Sequence, residues 1–139
     1  MRDIQQDWLS ALKPNFKILP LKERLFCSIG ALCGLAISSL ISWYVLGDIN
    51  PWYIAPMGAS SVLLFAVPSS PLAQPWNMLI GNTIAATVGV ACSTWIPDLT
   101  SAFSLAVGLT IFLMMTSDSL HPPSGAVAIT AVLGGEAVH

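Results

Sequence analysis

Basic residues are missing from most of this chain of 139 residues. All five Lys and Arg residues lie at or before position 24, and none occurs from Leu25 to His139. Charged residues make up 9% of the sequence, against about a quarter in an ordinary soluble domain. A surface so poor in charge is not suited to water, and the hydrophobic fraction of 55% fits a lipid solvent instead. The sequence therefore excludes an ordinary soluble domain and predicts an integral membrane protein.

Other scarce features exclude further classes of function. The lack of a basic stripe beyond the N-terminus argues against nucleic acid as a partner. The three cysteines lie in apolar stretches without a C-x-x-C pattern or a histidine cluster, so we expect no disulfide, no metal site and no cofactor. No H-E-x-x-H, G-x-S-x-G or phosphate-loop motif is present, and we expect no enzyme. Closeness of Asp118, His121 and Ser124 in sequence does not make a catalytic triad, which geometry defines.

Apolar runs predict the fold class, an all-α polytopic membrane helix bundle. Runs at 25–47, 76–96 and 101–117 approach or reach the length needed to cross a hydrocarbon core of ~30 Å. The first run is too long for a signal peptide, whose apolar core is ~7–15 residues. Two shorter apolar runs, at 54–67 and 126–135, are bounded by turn residues and predict short broken or re-entrant elements.

The N-terminal residues form a basic segment before the membrane domain. We expect residues 1–24 in the cytoplasm, on the inner (plasma) membrane of the cell, because cytoplasmic segments carry the excess of Lys and Arg. Ile4, Trp8 and Leu12 recur every four residues, which is typical of an amphipathic helix at the membrane surface. A frayed tail is the alternative. Residues 25–139 are the predicted transmembrane domain.

Small residues recur at every fourth position in two of the long spans. They are Gly30, Gly34, Ser38 and Ser42 in the first span, and Gly81, Ala85, Gly89 and Ser93 in the second. Small side chains let helix backbones approach closely in lipid, so we expect these two spans to pack on each other. The polar residues Asn82, Thr83 and Thr87 are expected to form hydrogen bonds between helices, and contact with the substrate is the less favoured alternative.

Two breaks in the apolar sequence share the pattern Pro-x-Gly-Ala, at 56–59 and at 123–126. Each break follows a long span and a turn, which indicates an internal repeat of long, short and long elements whose last span is missing. Chance similarity is the alternative in a membrane sequence rich in Gly, Ala and Pro. The repeats are inverted if the short elements cross the membrane and parallel if they are re-entrant.

The same two breaks predict an anion site. A helix that starts at a proline presents free backbone N–H groups and the positive end of its dipole, and Ser124 is a good N-cap. Two such starts facing each other would hold a small anion without any Lys or Arg. The predicted substrate-binding residues are Pro56, Gly58, Ala59, Ser60, His121, Pro122, Pro123, Ser124, Gly125 and Ala126.

Asp118 and His121 are the ionisable residues nearest the second break. His121 could donate to the anion and exchange protons with Asp118, so that the pair forms a proton relay. Asp118 could instead satisfy backbone N–H groups of its own turn. In a third interpretation both residues lie at the water interface without a specific role.

The sequence His-Pro-Pro-Ser-Gly at 121–125 resembles the HPP family of integral membrane proteins, which is named for its His-Pro-Pro motif. Similar positions occur at 56–61, 81–82 and 134–135, and the resemblance covers about residues 20–139. It implies a compact transmembrane domain and a role in nitrite transport, proposed for some plastid and cyanobacterial members. It also implies a further apolar span, which this sequence lacks.

These observations predict a passive or proton-linked transporter or channel for a small monovalent anion, with nitrite as the favoured substrate. The alternative is a non-transporting structural or assembly subunit, or an inactive fragment, because a missing last span leaves a packing face open to lipid. The expected partners are the lipid bilayer and a small inorganic anion, and association into a homo-oligomer stays open.

Overall fold

A computed structural model describes residues 19–47 and 51–136, and the regular elements among them are all helical. The elements are α1 (Leu21–Leu46), α2 (Pro51–Ser61), a π-helical turn (Val62–Ala66), a 3-10 turn (Pro71–Ala73), α3 (Pro75–Trp95), α4 (Leu99–Thr116) and α5 (Ser124–Glu136). The predicted all-α membrane bundle is confirmed. The predicted amphipathic helix near the N-terminus lies outside the described residues.

Three helices are long and apolar enough to cross a membrane, namely α1, α3 and α4. They confirm the three predicted long spans, with ends shifted by a few residues. The helix α1 begins at Leu21 rather than at position 25, because Lys22, Glu23 and Arg24 are themselves good helix formers. No residue of α1 is buried by the rest of the chain, which fits a helix whose solvent is lipid.

The first short element differs from its prediction in where its helix starts. The helix α2 begins at Pro51, so Pro56 lies inside the helix instead of opening it. Pro51 suits the first turn as well as Pro56 does, since a proline there gives up an N–H that has no helical partner. A proline inside a helix removes one hydrogen bond, a loss that membrane helices tolerate through local adjustments. The helix then widens into the π-helical turn and ends before Pro68.

The second short element agrees with its prediction. The helix α5 begins at Ser124, directly after the Pro122-Pro123 pair, and its 13 residues cover about 20 Å. That length is short of the ~30 Å hydrocarbon core. The chain therefore returns into the bundle on α5 through a tight proline-rich turn after α4.

The core of the described chain lies between α3, α4 and α5. It consists mainly of small buried residues, which are Ala85, Cys92, Ala102, Ala106, Ala128 and Val132. On α3, a Cβ added to Gly89 would lie 2.5 Å from the Ala128 carbonyl oxygen of α5. Glycine is therefore required there for backbones to touch, as expected for helix association in lipid. Cys92 is a buried, free thiol within this core.

The two stripes of small residues do not pack on each other as predicted. The stripe of α1 instead packs against the ring of Phe65, a residue of the π-helical turn. The ring would lie 2.7 Å from a Cβ placed on Gly30. The stripe of α3 packs against the segment that leads into α5 and against α5 itself. The prediction fails because a small-residue stripe specifies close approach without specifying the partner, and an aromatic ring fills the α1 groove.

Candidate functional site

The turn that ends α4 places the first candidate residues. The backbone N–H of Ser119 donates to the Met114 carbonyl at 2.9 Å, and Asp118 has a φ of 50°. This is the Schellman arrangement of a helix C-terminus, in which one residue adopts the left-handed conformation. Asp118 occupies that position and its side chain is exposed. Its observed role is to end α4, where an Asp tolerates a positive φ better than most residues.

His121 is completely buried, and both of its ring nitrogens have partners. Its Nε2 lies 3.0 Å from the hydroxyl of Ser60 on α2, and its Nδ1 lies 3.0 Å from the carbonyl oxygen of Leu72 in the 3-10 turn. Because each ring nitrogen has one hydrogen-bonding direction, these contacts use the whole capacity of the imidazole. The predicted pairing of His121 with Asp118 is therefore absent from this structure.

The partners of His121 determine which nitrogen carries its proton. A backbone carbonyl only accepts hydrogen bonds, so Nδ1 must carry a proton and donate it to Leu72. In the neutral imidazole Nε2 then has a free electron pair, and the Ser60 hydroxyl donates to it. The structure thus assigns the Nδ1–H tautomer to neutral His121, with Ser60 as the donor on the other side.

Two asparagines of α3 hold the turn around His121. Asn77 donates from its amide nitrogen to the carbonyls of Pro71 at 3.1 Å and Leu120 at 3.0 Å. It therefore ties the two segments on either side of the imidazole to each other. The hydroxyl of Ser124 donates to Asn82 Oδ1 at 2.8 Å, which confirms the predicted interhelical role of that asparagine.

The threonines predicted beside Asn82 behave differently. Thr83 and Thr87 are exposed and donate to the carbonyls of Leu79 and Thr83 in their own helix. The expectation that they bond between helices is wrong, because they lie on the lipid-facing side of α3, where their own backbone is the nearest acceptor.

A cavity of about 460 Å³ separates α1 from α3. It is lined by Gly34 and Ser38 of α1, Ser60 of α2, Asn82 of α3 and Val127 of α5. We call it the Ser60 cavity. His121 lies behind its wall, so Ser60 is the side chain that touches both the imidazole and the cavity.

The hydroxyls that line the Ser60 cavity are not equivalent. Ser38 donates to the Gly34 carbonyl, and Ser61 donates to the Met57 carbonyl, both at 2.9 Å within their own helices. Ser60 instead bonds to a titratable side chain. The amide nitrogen of Asn82 has no partner among the described residues, and its orientation is fixed because Ser124 bonds to the oxygen. Asn82 therefore presents two N–H donors.

The predicted pair of free helix starts does not exist. At the start of α5 the N–H groups of Ser124, Gly125 and Ala126 donate to the carbonyls of His121, Pro122 and Pro123, at 2.9 to 3.2 Å. The Pro-Pro turn folds back under the helix and satisfies these donors. At the other break the corresponding N–H groups lie inside α2. An anion site made of free N–H groups, with Ser124 as its N-cap, is thus contradicted.

The predicted residues nonetheless come together in part. Ser60 from the first break meets His121 from the second, and Pro56 and Pro123 are both buried beside them. Other predicted residues stay apart from these contacts. A Cβ at Gly58 or at Gly125 would meet no atom within 4 Å, and Ala59, Pro122 and Ala126 are exposed.

Two functional contacts could not be found from the sequence. Leu72 lies 49 positions from His121 in the sequence. It contributes its backbone carbonyl, a group that every residue has, so the residue type gives no signal of this contact. Asn77 bridges two carbonyls and belongs to no recognisable sequence motif. The available signal was a polar amide near the start of an apolar span, where such residues commonly bond between helices.

Known proteins resemble the chain over nearly all of its length. The family model described as HPP, transmembrane region, matches residues 17–139. A transmembrane protein of Dictyostelium discoideum is 36% identical over 135 residues, which cover 93% of this chain and 47% of that protein. A second one from the same organism is 34% identical over 113 residues, covering 78% and 36%. The chain thus spans less than half of either relative.

No solved structure matches the chain. Its three long apolar helices agree with an integral membrane protein, and the match to one family model extends over most of its residues. The chain therefore belongs to the HPP family of transmembrane proteins.

Proposed function

We propose that the protein transports a small monovalent anion across the membrane, with nitrite as the substrate that the family resemblance implies. The observation that carries the proposal is the buried Ser60–His121 hydrogen bond at the wall of a cavity. Buried ionisable residues at membrane depth are costly and are retained chiefly for function. No Lys or Arg lines the cavity or occurs after position 24, so neutral donors must hold the anion.

The amide of Asn82 would hold the anion, with the hydroxyl of Ser60 beside it at the cavity wall. Both line the Ser60 cavity, and the amide N–H groups of Asn82 point to no protein acceptor among the described residues. The cavity has room for a small anion with several waters. A site of neutral donors binds an anion weakly enough to release it, which transport requires.

We propose transport rather than catalysis for the Ser60–His121 pair. Enzymes that use nucleophilic catalysis often place a serine beside a histidine whose other nitrogen is oriented by an acceptor. Ser60, His121 and the Leu72 carbonyl have this arrangement. However, Ser60 lies within α2, where the neighbouring backbone N–H groups belong to the helix. They are not available as an oxyanion hole, which acyl transfer needs for most of its rate.

The membrane location and orientation are part of the proposal. We place the protein in the plasma membrane with its N-terminus in the cytoplasm, because the basic residues lie before α1 or in its first turn and none follows it. In this arrangement the basic segment orients the chain and takes no part in binding the anion.

Nitrite uptake into liposomes tests the proposal. We expect the reconstituted chain to take up nitrite faster than protein-free vesicles, which are needed because the protonated acid crosses lipid unaided. Asn82→Asp keeps the shape of the side chain and the acceptor for Ser124 but replaces the N–H donors by a negative charge. We expect it to reduce uptake to the protein-free rate.

Ser104→Ala is the matched control, because Ser104 is an exposed α4 residue whose hydroxyl donates to the Thr100 carbonyl of its own helix. It should keep the wild-type rate. No uptake by the wild type would instead support a non-transporting structural or assembly subunit. Equal uptake by the folded Asn82→Asp protein would remove Asn82 from the site.

A further inference from the structure

We propose that His121 carries a proton together with the anion, and that the direction of the Ser60–His121 hydrogen bond couples the two. The inference rests on the proposed transport function and deepens it to proton–anion co-transport. Ser60 would be the coupling residue, since it contacts both the imidazole and the cavity.

One side of the imidazole is fixed. The Leu72 carbonyl accepts from Nδ1 at 3.0 Å in any protonation state, because a carbonyl oxygen has no proton to give. The base of the side chain is also closely packed, since the His121 Cβ would lie 3.1 Å from a Cβ placed on Gly81. A change of protonation is therefore expressed at Nε2, on the side of Ser60.

The other side has two states that differ in what Ser60 offers to the cavity. With neutral His121, the Ser60 proton points to Nε2 and only oxygen lone pairs face the cavity, which disfavours an anion. With His121 protonated, Nε2–H donates to the Ser60 oxygen and the Ser60 proton is free to turn toward the cavity. The anion then meets a hydroxyl donor backed by a positive charge in a medium of low dielectric constant.

The proton needs no separate path to the buried ring. A weak acid HA in the cavity gives its proton to the Ser60 oxygen while the Ser60 proton moves to Nε2. The result is A⁻ accepting from the Ser60 hydroxyl, which accepts in turn from the imidazolium. The acid O–H bond and the serine O–H bond break, a new serine O–H and an N–H form, and total charge is conserved. Release reverses these transfers.

Among the residues that the structure describes, the surroundings of His121 contain no other strong charge. The segments that contact it, α2, the 3-10 turn and α3, have no Asp, Glu, Lys or Arg. Their titratable residues are Tyr53 and Cys92, and Cys92 lies about three turns along α3 from Gly81. Asp118 is exposed in the preceding turn, and Glu136 is at the far end of α5. The anion itself is therefore the natural counter-ion of the imidazolium.

Uptake at several pH values tests the coupling, with the concentration of the nitrite anion held constant. We expect the protein-dependent rate of the wild type to rise as the pH falls from about 8 to about 6, because each anion would be carried together with one proton. An inward proton gradient should drive nitrite accumulation. His121→Asn, which can still donate to Leu72 from a position close to that of Nδ1 but cannot be protonated, should keep a pH-independent residual rate.

Ser60→Ala removes the reversible donor and should reduce uptake about tenfold or more at low pH, as the loss of a hydrogen bond to a charged group does. Ser104→Ala should keep both the rate and the pH profile of the wild type. A wild-type rate that neither changes with pH nor responds to a proton gradient would overturn the coupling and leave transport intact.

Nitrogen-15 NMR of labelled histidine gives a readout that does not depend on transport. In a His139→Ala background His121 is the sole histidine of the chain. We expect the Nδ1–H tautomer with an unprotonated Nε2 at high pH, and protonation of both nitrogens when nitrite is added near pH 6. An Nε2–H tautomer, or a ring that stays neutral with nitrite at low pH, would refute the proposal even if no uptake were measured.

Discussion

At the scale of single residues, the environment of each ionisable group determines what that group can do. His121 is buried with two partners, whereas Asp118 is exposed and ends a helix. The sequence placed them as a pair because they are three positions apart. The three-dimensional structure separates them, since the left-handed conformation at Asp118 turns the chain before His121 enters the bundle.

Asp98 provides a test of helix capping by pH. Hydrogen bonds from the side chain of Ser101 and from its backbone N–H hold the pKa of Asp98 below its ordinary value of 3.8. A carboxyl with a lowered pKa in the folded state stabilises that state above the ordinary pKa and loses the effect as the pH falls through the folded value. We expect the first turn of α4 to loosen only below about pH 4.

Hydrogen exchange of the amides at 99–102 measures this loosening. Asp98→Asn keeps a capping side chain without a titratable group, so its exchange should not change over the same pH range beyond the intrinsic chemical rate. The same acid-dependent loosening in Asp98→Asn would show that another group is responsible.

At the scale of elements, close backbone contact between α3 and α5 holds the site in place. Gly81 lies against the backbone of Ser119 and the side chains of His121 and Ser124, and Gly89 lies against Ala128. A helix association of this kind depends on the absence of side chains at the crossing. The Ser60–His121 contact therefore depends on residues that never touch the cavity.

Gly89→Ala tests this dependence. Its Cβ would lie 2.5 Å from the Ala128 carbonyl oxygen and 2.6 Å from the Ala131 Cβ, so α3 and α5 must separate. We expect a loss of about 1–3 kcal/mol in the free energy of unfolding, the typical cost of overpacking. Denaturant titration in detergent micelles measures it.

Gly108→Ala on α4 is the matched control, because no atom lies within 4 Å of its added Cβ. It should be neutral or stabilising by up to about 1 kcal/mol, since alanine favours a helix more than glycine does. Equal stability of the two variants would mean that α3 and α5 tolerate a wider spacing than the structure indicates.

At the scale of the whole molecule, the described chain has two parts with different packing. The helices α3, α4 and α5 enclose a core, whereas α1 contributes no buried residue and rests on α2 and on Phe65. The cavity lies between these parts. The helices α1, α2 and α3 are long, short and long, and α4 and α5 are long and short. This is the order of elements in the predicted repeat.

The orientation of the chain is the prediction that belongs to this scale. A protease site placed at the N-terminus should be cut in inside-out vesicles and protected in right-side-out ones, because cytoplasmic segments carry the excess of Lys and Arg. Replacing the basic residues by glutamine should give a mixed orientation. These residues are Arg2, Lys13, Lys17, Lys22 and Arg24. An unchanged, uniform orientation after this replacement would show that another feature orients α1.

The sequence by itself determined the solvent, the helices and the position of one turn. Charge depletion and apolar runs act locally along the chain, so they revealed the membrane class and the three long spans before any tertiary contact was known. The His-Pro-Pro turn could likewise be located, since two prolines stop a helix whatever surrounds them.

Only the tertiary structure decided which groups are partners. Ser60 and His121 are 61 positions apart, and the Leu72 carbonyl has no side chain to reveal it. Hydrogen-bond partners were also hidden from the sequence at the start of α5. Helix geometry alone predicts free N–H groups there, but the carbonyls of the preceding turn accept from them. Helix formation depends on neighbours a few positions away, whereas hydrogen-bond partners in a bundle depend on how the helices pack, and that packing determined the site.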